Sequence, residues 1–68
     1  MELKINNQVK TFSQSSITVQ QLLDIEMPDK QKGIAIAIAE RVVPKTNWGT
    51  TVLSDKDEVL IIKATQGG

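Results

Sequence analysis

The terminal carboxylate is the group for which this sequence most clearly suggests a chemical role. The chain ends in Gly67 and Gly68, a few residues after a strongly apolar segment. Because glycine has no Cβ, such a stalk can enter a narrow slot and approach a ligand closely. A carboxylate presented in this way can be activated or attacked in the active site of another enzyme. Two terminal glycines also arise by chance in about one chain in 200, so the pair by itself leaves an ordinary frayed terminus open.

Side chains that could support catalysis within the chain itself are scarce. The sequence contains no His, no Cys and no Tyr, which excludes disulfides, zinc fingers and Cys–His catalysis. Serine and threonine are plentiful, but a serine nucleophile needs a neighbouring base. Asp55, Asp57 and Glu58 form an acidic cluster that lacks the glycine and the length of a calcium loop, so we interpret it as a solvated turn. The sequence therefore predicts neither a metal site nor an enzyme.

Length and charge restrict the partners that the chain can have. Its 68 residues provide for one domain, and its eight basic and eight acidic side chains cancel. Nucleic acids and anionic membranes are bound by clustered cations, so we expect neither as a partner. No stretch approaches the roughly 20 apolar residues that span a bilayer, and the first residues carry charges where a signal peptide would be apolar. We therefore predict a cytoplasmic protein.

The first part of the chain predicts a β-hairpin. Residues 1–6 alternate between apolar and polar types, which is the pattern of a strand with one buried face. Asn6 and Asn7 follow, and asparagine tolerates the positive φ of a tight hairpin turn. Residues 9–12 then form the second, antiparallel strand, and a serine-rich loop follows at 13–16.

A helix is predicted to begin at Thr18. The spacing of Thr18 and Gln21 fits a capping box, and Ile17 with Leu22 fits a hydrophobic staple. The helix is expected to end before Pro28, because the residue preceding a proline disfavours the α conformation. Its apolar stripe consists of Val19, Leu22 and Leu23.

The second half of the chain predicts three more strands. Residues 34–39 alternate Ile and Ala without exception, which places the isoleucines on one face of a strand. Residues 40–41 are expected to form a turn, and 42–43 a short return strand that Pro44 ends. Irregular chain containing Trp48 is expected at 45–51. The last strand is predicted at 58–64.

The last predicted strand carries apolar residues on both faces, although the chain supplies only one helix to cover the sheet. We place Val59 and Ile61 towards the helix, which leaves Leu60 and Ile62 on the open face. An exposed apolar patch commonly marks a partner surface. A loop around Trp48 folding over that face, or a homodimer, would also account for it. The other residues expected on the helix side are Leu3, Ile5, Leu22, Ile34, Ile36 and Ile38.

The order β-β-α-β-β-β and the terminal glycines resemble the β-grasp, or ubiquitin-like, fold, and in detail the ThiS family of thiamine-biosynthesis sulfur carriers. The resemblance implies the α+β class, with a mixed four- to five-stranded sheet and one main helix packed on one face. It implies a domain at 1–64 and a flexible tail at 65–68, of Thr65, Gln66, Gly67 and Gly68. The segments that carry it are residues 18–23, 36–39 and 57–62, Val43-Pro44-Lys45 with Trp48, and Gly67-Gly68.

The resemblance to this family implies a carrier that other enzymes modify, with the following expected chemistry. A ubiquitin-activating-like adenylyltransferase uses ATP to adenylate the carboxylate of Gly68, with Gly67 as the slim approach. A sulfur donor protein then displaces AMP and leaves a thiocarboxylate, from which thiazole synthase takes the sulfur. The carrier itself holds no stably bound cofactor. Leu60 and Ile62 match the strand face that family members present to partners.

Three other functions remain open from the sequence. The small subunit of molybdopterin synthase, or another ubiquitin-like sulfur carrier, shares the fold and the terminal chemistry. A β-grasp interaction module could end in two glycines incidentally. Protein conjugation uses the same adenylation and ends in an isopeptide bond to a lysine.

Overall fold

The last strand lies at the centre of a mixed five-stranded sheet, as its apolar character on both faces indicates. The computed structural model describes residues 1–29 and 31–63. The elements are β1 (Glu2–Ile5), β2 (Gln8–Thr11), β3 (Ile17–Thr18), α1 (Val19–Glu26), β4 (Ile34–Ile38), β5 (Arg41–Val43), β6 (Val52–Leu53) and β7 (Glu58–Lys63). The strand order is β2-β1-β7-β4-β5. Strand β1 runs parallel to β7, and the other neighbours pair antiparallel.

Both hairpins of this sheet close through two-residue turns with positive φ. Asn6 and Asn7 have φ of 49° and 68°, which confirms the predicted turn and its left-handed conformation. Ala39 and Glu40 have φ of 49° and 67°, and strand β5 begins at Arg41. The turn predicted at 40–41 was therefore wrong by one residue. The Ile–Ala alternation runs into Ala39, so the sequence gives no glycine or asparagine to mark where the strand ends.

Helix α1 begins with the predicted capping box. The Thr18 hydroxyl accepts from the Gln21 N–H at 3.1 Å, and the Gln21 side chain accepts from the Thr18 N–H at 2.8 Å. The Met27 N–H donates to the Leu23 carbonyl, and Pro28 follows as expected. No helix in residues 1–29 and 31–63 is long and apolar enough to cross a membrane. The buried residues of α1 are Val19, Leu22 and Leu23, as predicted.

Two short features between the longer elements were not predicted. Strands β3 and β6 form a separate two-stranded ladder, and a 3-10 helix occupies Lys45–Asn47 in the stretch expected to be irregular. Elements of two or three residues are too short to show a period in the sequence. The loop after the 3-10 helix supports α1 directly: the carbonyls of Thr51 and Trp48 accept from the N–H groups of Val19 and Gln20, at 2.9 and 3.0 Å.

The hydrophobic core lies between α1 and one face of the sheet. Trp48 is buried in it at 2% exposure, and its indole N–H donates to the Val43 carbonyl at 3.1 Å. Because Trp48 packs on the helix side, its loop does not cover the opposite face of the sheet, contrary to one of the alternatives above. The buried cluster comprises Leu3, Ile5, Ile17, Val19, Leu22, Leu23, Ile36, Trp48, Leu53 and Val59, with Ile34, Ile38 and Ile61 partly buried against it.

Candidate functional site

Leu60 and Ile62 lie on the face of the sheet opposite the helix, as predicted. Directly paired residues of antiparallel strands share a face, and β7 pairs Leu60 with Ala37 and Ile62 with Ala35. Ala37 in turn pairs with Val42 on the edge strand β5. Leu60 and Ile62 are 47% and 44% exposed, and Val42 is 69% exposed. We give the name open-face patch to these five residues together: Ala35, Ala37, Val42, Leu60 and Ile62.

The two alanines give the open-face patch its shape. Strand β4 directs its isoleucines towards the core and its alanines towards the open face. The longer side chains of Leu60, Ile62 and Val42, on the neighbouring strands, therefore stand above the alanines. Val42 was missed as part of this surface from the sequence, where it appeared only as half of a short return strand. The positions of Ala37 and Val42 in the sequence contained the signal, because a two-residue turn at 39–40 places Val42 opposite Ala37.

Charged residues border the open-face patch on the β1 side. Lys4 and Glu58 are paired in the parallel register, and both point away from the core because their neighbours in sequence point into it. A shallow depression of about 310 Å³ lies there, lined among others by Lys4, Ala39, Glu40, Glu58 and Leu60. An apolar centre with a polar rim is the usual anatomy of a protein–protein interface.

Leu60 and Ile62 of the open-face patch lie on the stretch of chain that leads to the terminal glycines. Strand β7 ends at Lys63, which pairs with Ile34, and Gly68 follows five residues later in the sequence. The predicted tail residues Thr65, Gln66, Gly67 and Gly68 lie outside the described residues, as does the predicted domain boundary at 64. A partner that contacts Ile62 is therefore within six residues of the carboxylate.

The Asn6 side chain binds the main chain of β7 near the end of that strand. Its Oδ1 accepts from the Ile61 N–H at 2.7 Å, and its Nδ2 donates to the Ile61 carbonyl at 3.3 Å. From the sequence, Asn6 was assigned only to the hairpin turn. No local pattern indicates this second role, because the two residues are 55 positions apart.

The acidic cluster forms a turn that attaches to the start of β1. Asp55 Oδ1 accepts from the Glu2 N–H at 2.7 Å, and Asp57 Oδ2 accepts from the Ser54 N–H at 2.9 Å. The Lys56 Nζ lies 3.0 Å from Glu2 Oε1, and this contact raises the pKa of Lys56. Asp57 accepts within the turn, whereas Asp55 accepts from the first residue of β1, in agreement with the interpretation of the cluster as a solvated turn.

The sequence matches a known family over almost its whole length. A sequence model described as the ThiS family matches residues 3–68. The sulfur carrier protein ThiS of Escherichia coli strain K12 is 29% identical over 68 residues, which span 100% of both chains.

Solved structures agree with this match at the level of the fold. A crystal structure of the thiamine biosynthesis protein ThiS from Geobacter metallireducens superposes with a TM-score of 0.89, at 22% identity and over 100% of both chains. A solution NMR structure of a thiamine biosynthesis protein from the same organism superposes with a TM-score of 0.80, at 22% identity, over 100% of this chain and 88% of the other. The predicted α+β class with a β-grasp architecture is therefore confirmed.

Proposed function

This chain belongs to the ThiS family, and we propose that it carries sulfur as a thiocarboxylate on Gly68. It is a sulfur carrier of thiamine biosynthesis, not a catalyst itself, and it acts with partner enzymes of that pathway. The observation that carries the proposal is the extent of the family match, which runs through the terminal glycines to residue 68. The full-length similarity to the sulfur carrier protein ThiS of Escherichia coli favours the thiamine carrier over the small subunit of molybdopterin synthase.

The terminal chemistry follows from the reactivity of a carboxylate. A free carboxylate is a poor electrophile, and its conversion to an acyl-adenylate supplies a good leaving group. A ubiquitin-activating-like adenylyltransferase joins the Gly68 carboxylate to the α-phosphate of ATP and releases pyrophosphate. A sulfur donor protein then provides the sulfur that replaces AMP, and thiazole synthase accepts it from the resulting thiocarboxylate.

In this scheme the chain holds no stably bound cofactor, since ATP is bound and consumed by the adenylyltransferase. The composition supports this division of roles: without His, Cys or Tyr, the carrier offers few groups for nucleophilic or acid–base catalysis. We place the reaction in the cytoplasm.

The open-face patch is the proposed contact surface for the adenylyltransferase and for thiazole synthase. Its exposed apolar centre and charged rim fit a protein partner. Because Leu60 and Ile62 lie on β7, the position of the patch also limits how far the active site of a docked partner can be from it. The five residues that follow Lys63 span at most about 18 Å when extended, so the active site of each partner must lie within that distance of the end of β7.

The test is the mass of the intact protein after incubation with ATP, a sulfur donor and an adenylyltransferase that is active on a known ThiS protein. We expect one oxygen to be replaced by sulfur, a thiol-reactive reagent to label the product, and fragmentation to locate the change at Gly68. A variant lacking Gly68 is the matched control and remains unlabelled with its fold intact.

An unmodified wild-type chain, in a reaction where the known ThiS protein is converted, would contradict the thiocarboxylate proposal. A product linked through an isopeptide bond to a lysine would instead indicate protein conjugation. Equal function with and without Gly68 would indicate an interaction module whose glycines are incidental.

A further inference from the structure

Strand β7 is held differently on its two sides. Strand β4 accompanies it along its whole length, from Ile38 opposite Val59 to Ile34 opposite Lys63. Strand β1 pairs only with its beginning, and its last partner is Val59. Beyond that point the chain turns away into β2, so the β1 side of β7 loses its main-chain partner four residues before β7 ends.

The geometry points to Asn6 as a positioning residue that fixes the direction in which β7 leaves the sheet, and with it the delivery of Gly68 to the adenylyltransferase. This inference rests on the proposed function. It assigns to Asn6 a role beyond closing the hairpin, that of holding the main chain of β7. Asn6 and Asn7 both line the depression beside the open-face patch, so any effect of that position on docking is shared by the two residues.

The Asn6 side chain takes the place of a missing strand. The main-chain N–H of Asn6 donates to the Val59 carbonyl at 3.0 Å, as a parallel ladder requires. The side-chain amide then continues that ladder by one step, because its oxygen and nitrogen bind the N–H and the carbonyl of Ile61. A carboxamide carries the same donor and acceptor as a peptide group, so both groups of Ile61 are satisfied.

This contact is the final restraint on the β1 side within the part of the chain that is described. The N–H and carbonyl groups of alternate residues point to the same edge of a strand, so those of Lys63 face the side on which Asn6 ends the ladder. Without the side chain, β7 beyond Val59 would be held by β4 alone. Lys63, the last residue of β7, would then be the first to separate from β4, because the ends of strands open most easily.

Few residues can perform both parts of this role. Position 6 requires positive φ, which asparagine and glycine tolerate, and it also requires a donor and an acceptor. Aspartate keeps the acceptor but loses the donor, whereas glycine keeps the turn and loses both. Asn7 provides a matched control, because it has positive φ in the same turn and its side chain makes no hydrogen bond to the described residues.

The inference predicts a separation of docking from catalysis. Leu60 and Ile62 point to the open face from a strand that β4 still holds, so the affinity for the adenylyltransferase is maintained when Asn6 changes. The direction of β7 at Lys63, from which the chain continues towards Gly68, is not maintained. A displacement of about 1 Å in a reacting group can lower a rate by about a hundredfold.

The experiment compares Asn6→Asp and Asn6→Gly with Asn7→Asp and Asn7→Gly in adenylate formation, followed as ATP–pyrophosphate exchange with the full-length chain. We expect kcat to fall at least about tenfold in both Asn6 variants, with KM for the carrier within about twofold of wild type. Both Asn7 variants keep wild-type values. Hydrogen exchange of the Ile61 amide accelerates in Asn6→Gly, which loses the acceptor of that N–H, and in neither Asn7 variant.

The outcomes separate this inference from the proposed function. If wild type and all variants are adenylated at the same kcat, the positioning role is overturned while the carrier function stands. An increase in KM at constant kcat also overturns it, since Asn6 would then act in docking. A wild-type chain that is never adenylated overturns the proposed function instead. Circular dichroism at the assay temperature shows which variants are folded. If one Asn6 variant is not folded, the kcat of the other decides, and a wild-type value there overturns the positioning role.

Discussion

At the scale of single residues, an exposed carboxylate joins the helix to the loop that follows it. Asp24 Oδ1 accepts from the side-chain amides of Gln20 and Gln31, both at 2.9 Å, and the Gln20 amide also donates to Gln31 Oε1 at 2.8 Å. Hydrogen bonds to a carboxylate favour its charged form. The bond from Gln31, followed by that from Gln20, therefore lowers the pKa of Asp24.

The network predicts a pH dependence with a definite sign. Because the pKa of Asp24 is lower in the folded state than in the unfolded state, its stabilising contribution is complete above the ordinary aspartate pKa. It is lost as the pH falls through the lowered folded value. An NMR titration of the Asp24 carboxyl carbon and the two glutamine side-chain amides is expected to show one shared transition. In the Gln31→Ala variant that transition moves to higher pH, and an unchanged midpoint would show that Gln31 does not stabilise the charged form.

Residue roles could be predicted from the sequence where the partners are close together in it. Thr18 and Gln21 are three positions apart, and their capping box was predicted from that spacing alone. The partners of Asn6 and Gln31 are 55 and up to 11 positions away. Such contacts are produced by the topology of the sheet and by loop conformation, neither of which is recorded in a local pattern.

At the scale of elements, the two hairpin turns share a conformation but differ in composition. The first has Asn6 and Asn7 at φ of 49° and 68°, and the second has Ala39 and Glu40 at 49° and 67°. For most L-residues the left-handed region costs roughly 1–2 kcal/mol, whereas asparagine and glycine enter it routinely. The β4–β5 turn is therefore the more strained of the two.

Replacing that turn with the preferred residues is expected to stabilise the protein. The double substitution Ala39→Asn with Glu40→Gly relieves the strain at both positions, and part of the gain is offset by the greater freedom of glycine in the unfolded chain. We expect the free energy of unfolding to rise by about 1 kcal/mol. Urea denaturation followed by circular dichroism measures the change.

The control for this turn is Arg41→Gly, one position further along. Arg41 lies within β5 and pairs with Ile38, so glycine there lowers the stability. If the double substitution at positions 39 and 40 lowers the free energy of unfolding as much as Arg41→Gly does, the turn is not strained.

Periodicity in the sequence predicted the elements that are long enough to display it. The alternation at 34–39 and the apolar run at 59–62 correspond to β4 and β7, with ends shifted by a residue. Strands β3 and β6 contain two residues each, which cannot establish a period. They form because the burial of Ile17 and Leu53 brings the two segments together.

At the scale of the whole molecule, the one α-helix in residues 1–29 and 31–63 leaves the sheet with two unlike faces. One face of the sheet is buried under α1, and the other exposes the open-face patch beside charged residues. This asymmetry could be predicted from the count of helices and from the apolar run in β7. The exact pairing of Val42 with Ala37 could not, because it depends on a turn that the sequence does not mark.

The open-face patch predicts that binding and folding can be separated by mutation. Leu60→Asp and Ile62→Asp each place a charge where an apolar contact is expected, so we predict at least about a tenfold loss of affinity for the adenylyltransferase. Stability changes little, because both side chains are nearly half exposed. Isothermal titration calorimetry with the enzyme measures the first effect and thermal melting the second.

Val52→Asp serves as the control for this surface. Val52 is 61% exposed but lies on the separate β3–β6 ladder, so its substitution is expected to leave the affinity unchanged. Wild-type affinity in both patch variants would assign the partner surface to another face of the molecule.

The central position of β7 has a consequence for biosynthesis. Lys4 on β1 pairs with Glu58 on β7, and contacts between residues so distant in the sequence slow the folding of a domain. On the ribosome, both hairpins and the helix emerge before the strand that unites them, so the sheet cannot close until residues 58–63 have left the exit tunnel. A nascent chain that stalls before that point has neither a completed sheet nor a glycine terminus. Under the proposed function, the order of translation therefore keeps unfinished copies from being modified by the adenylyltransferase.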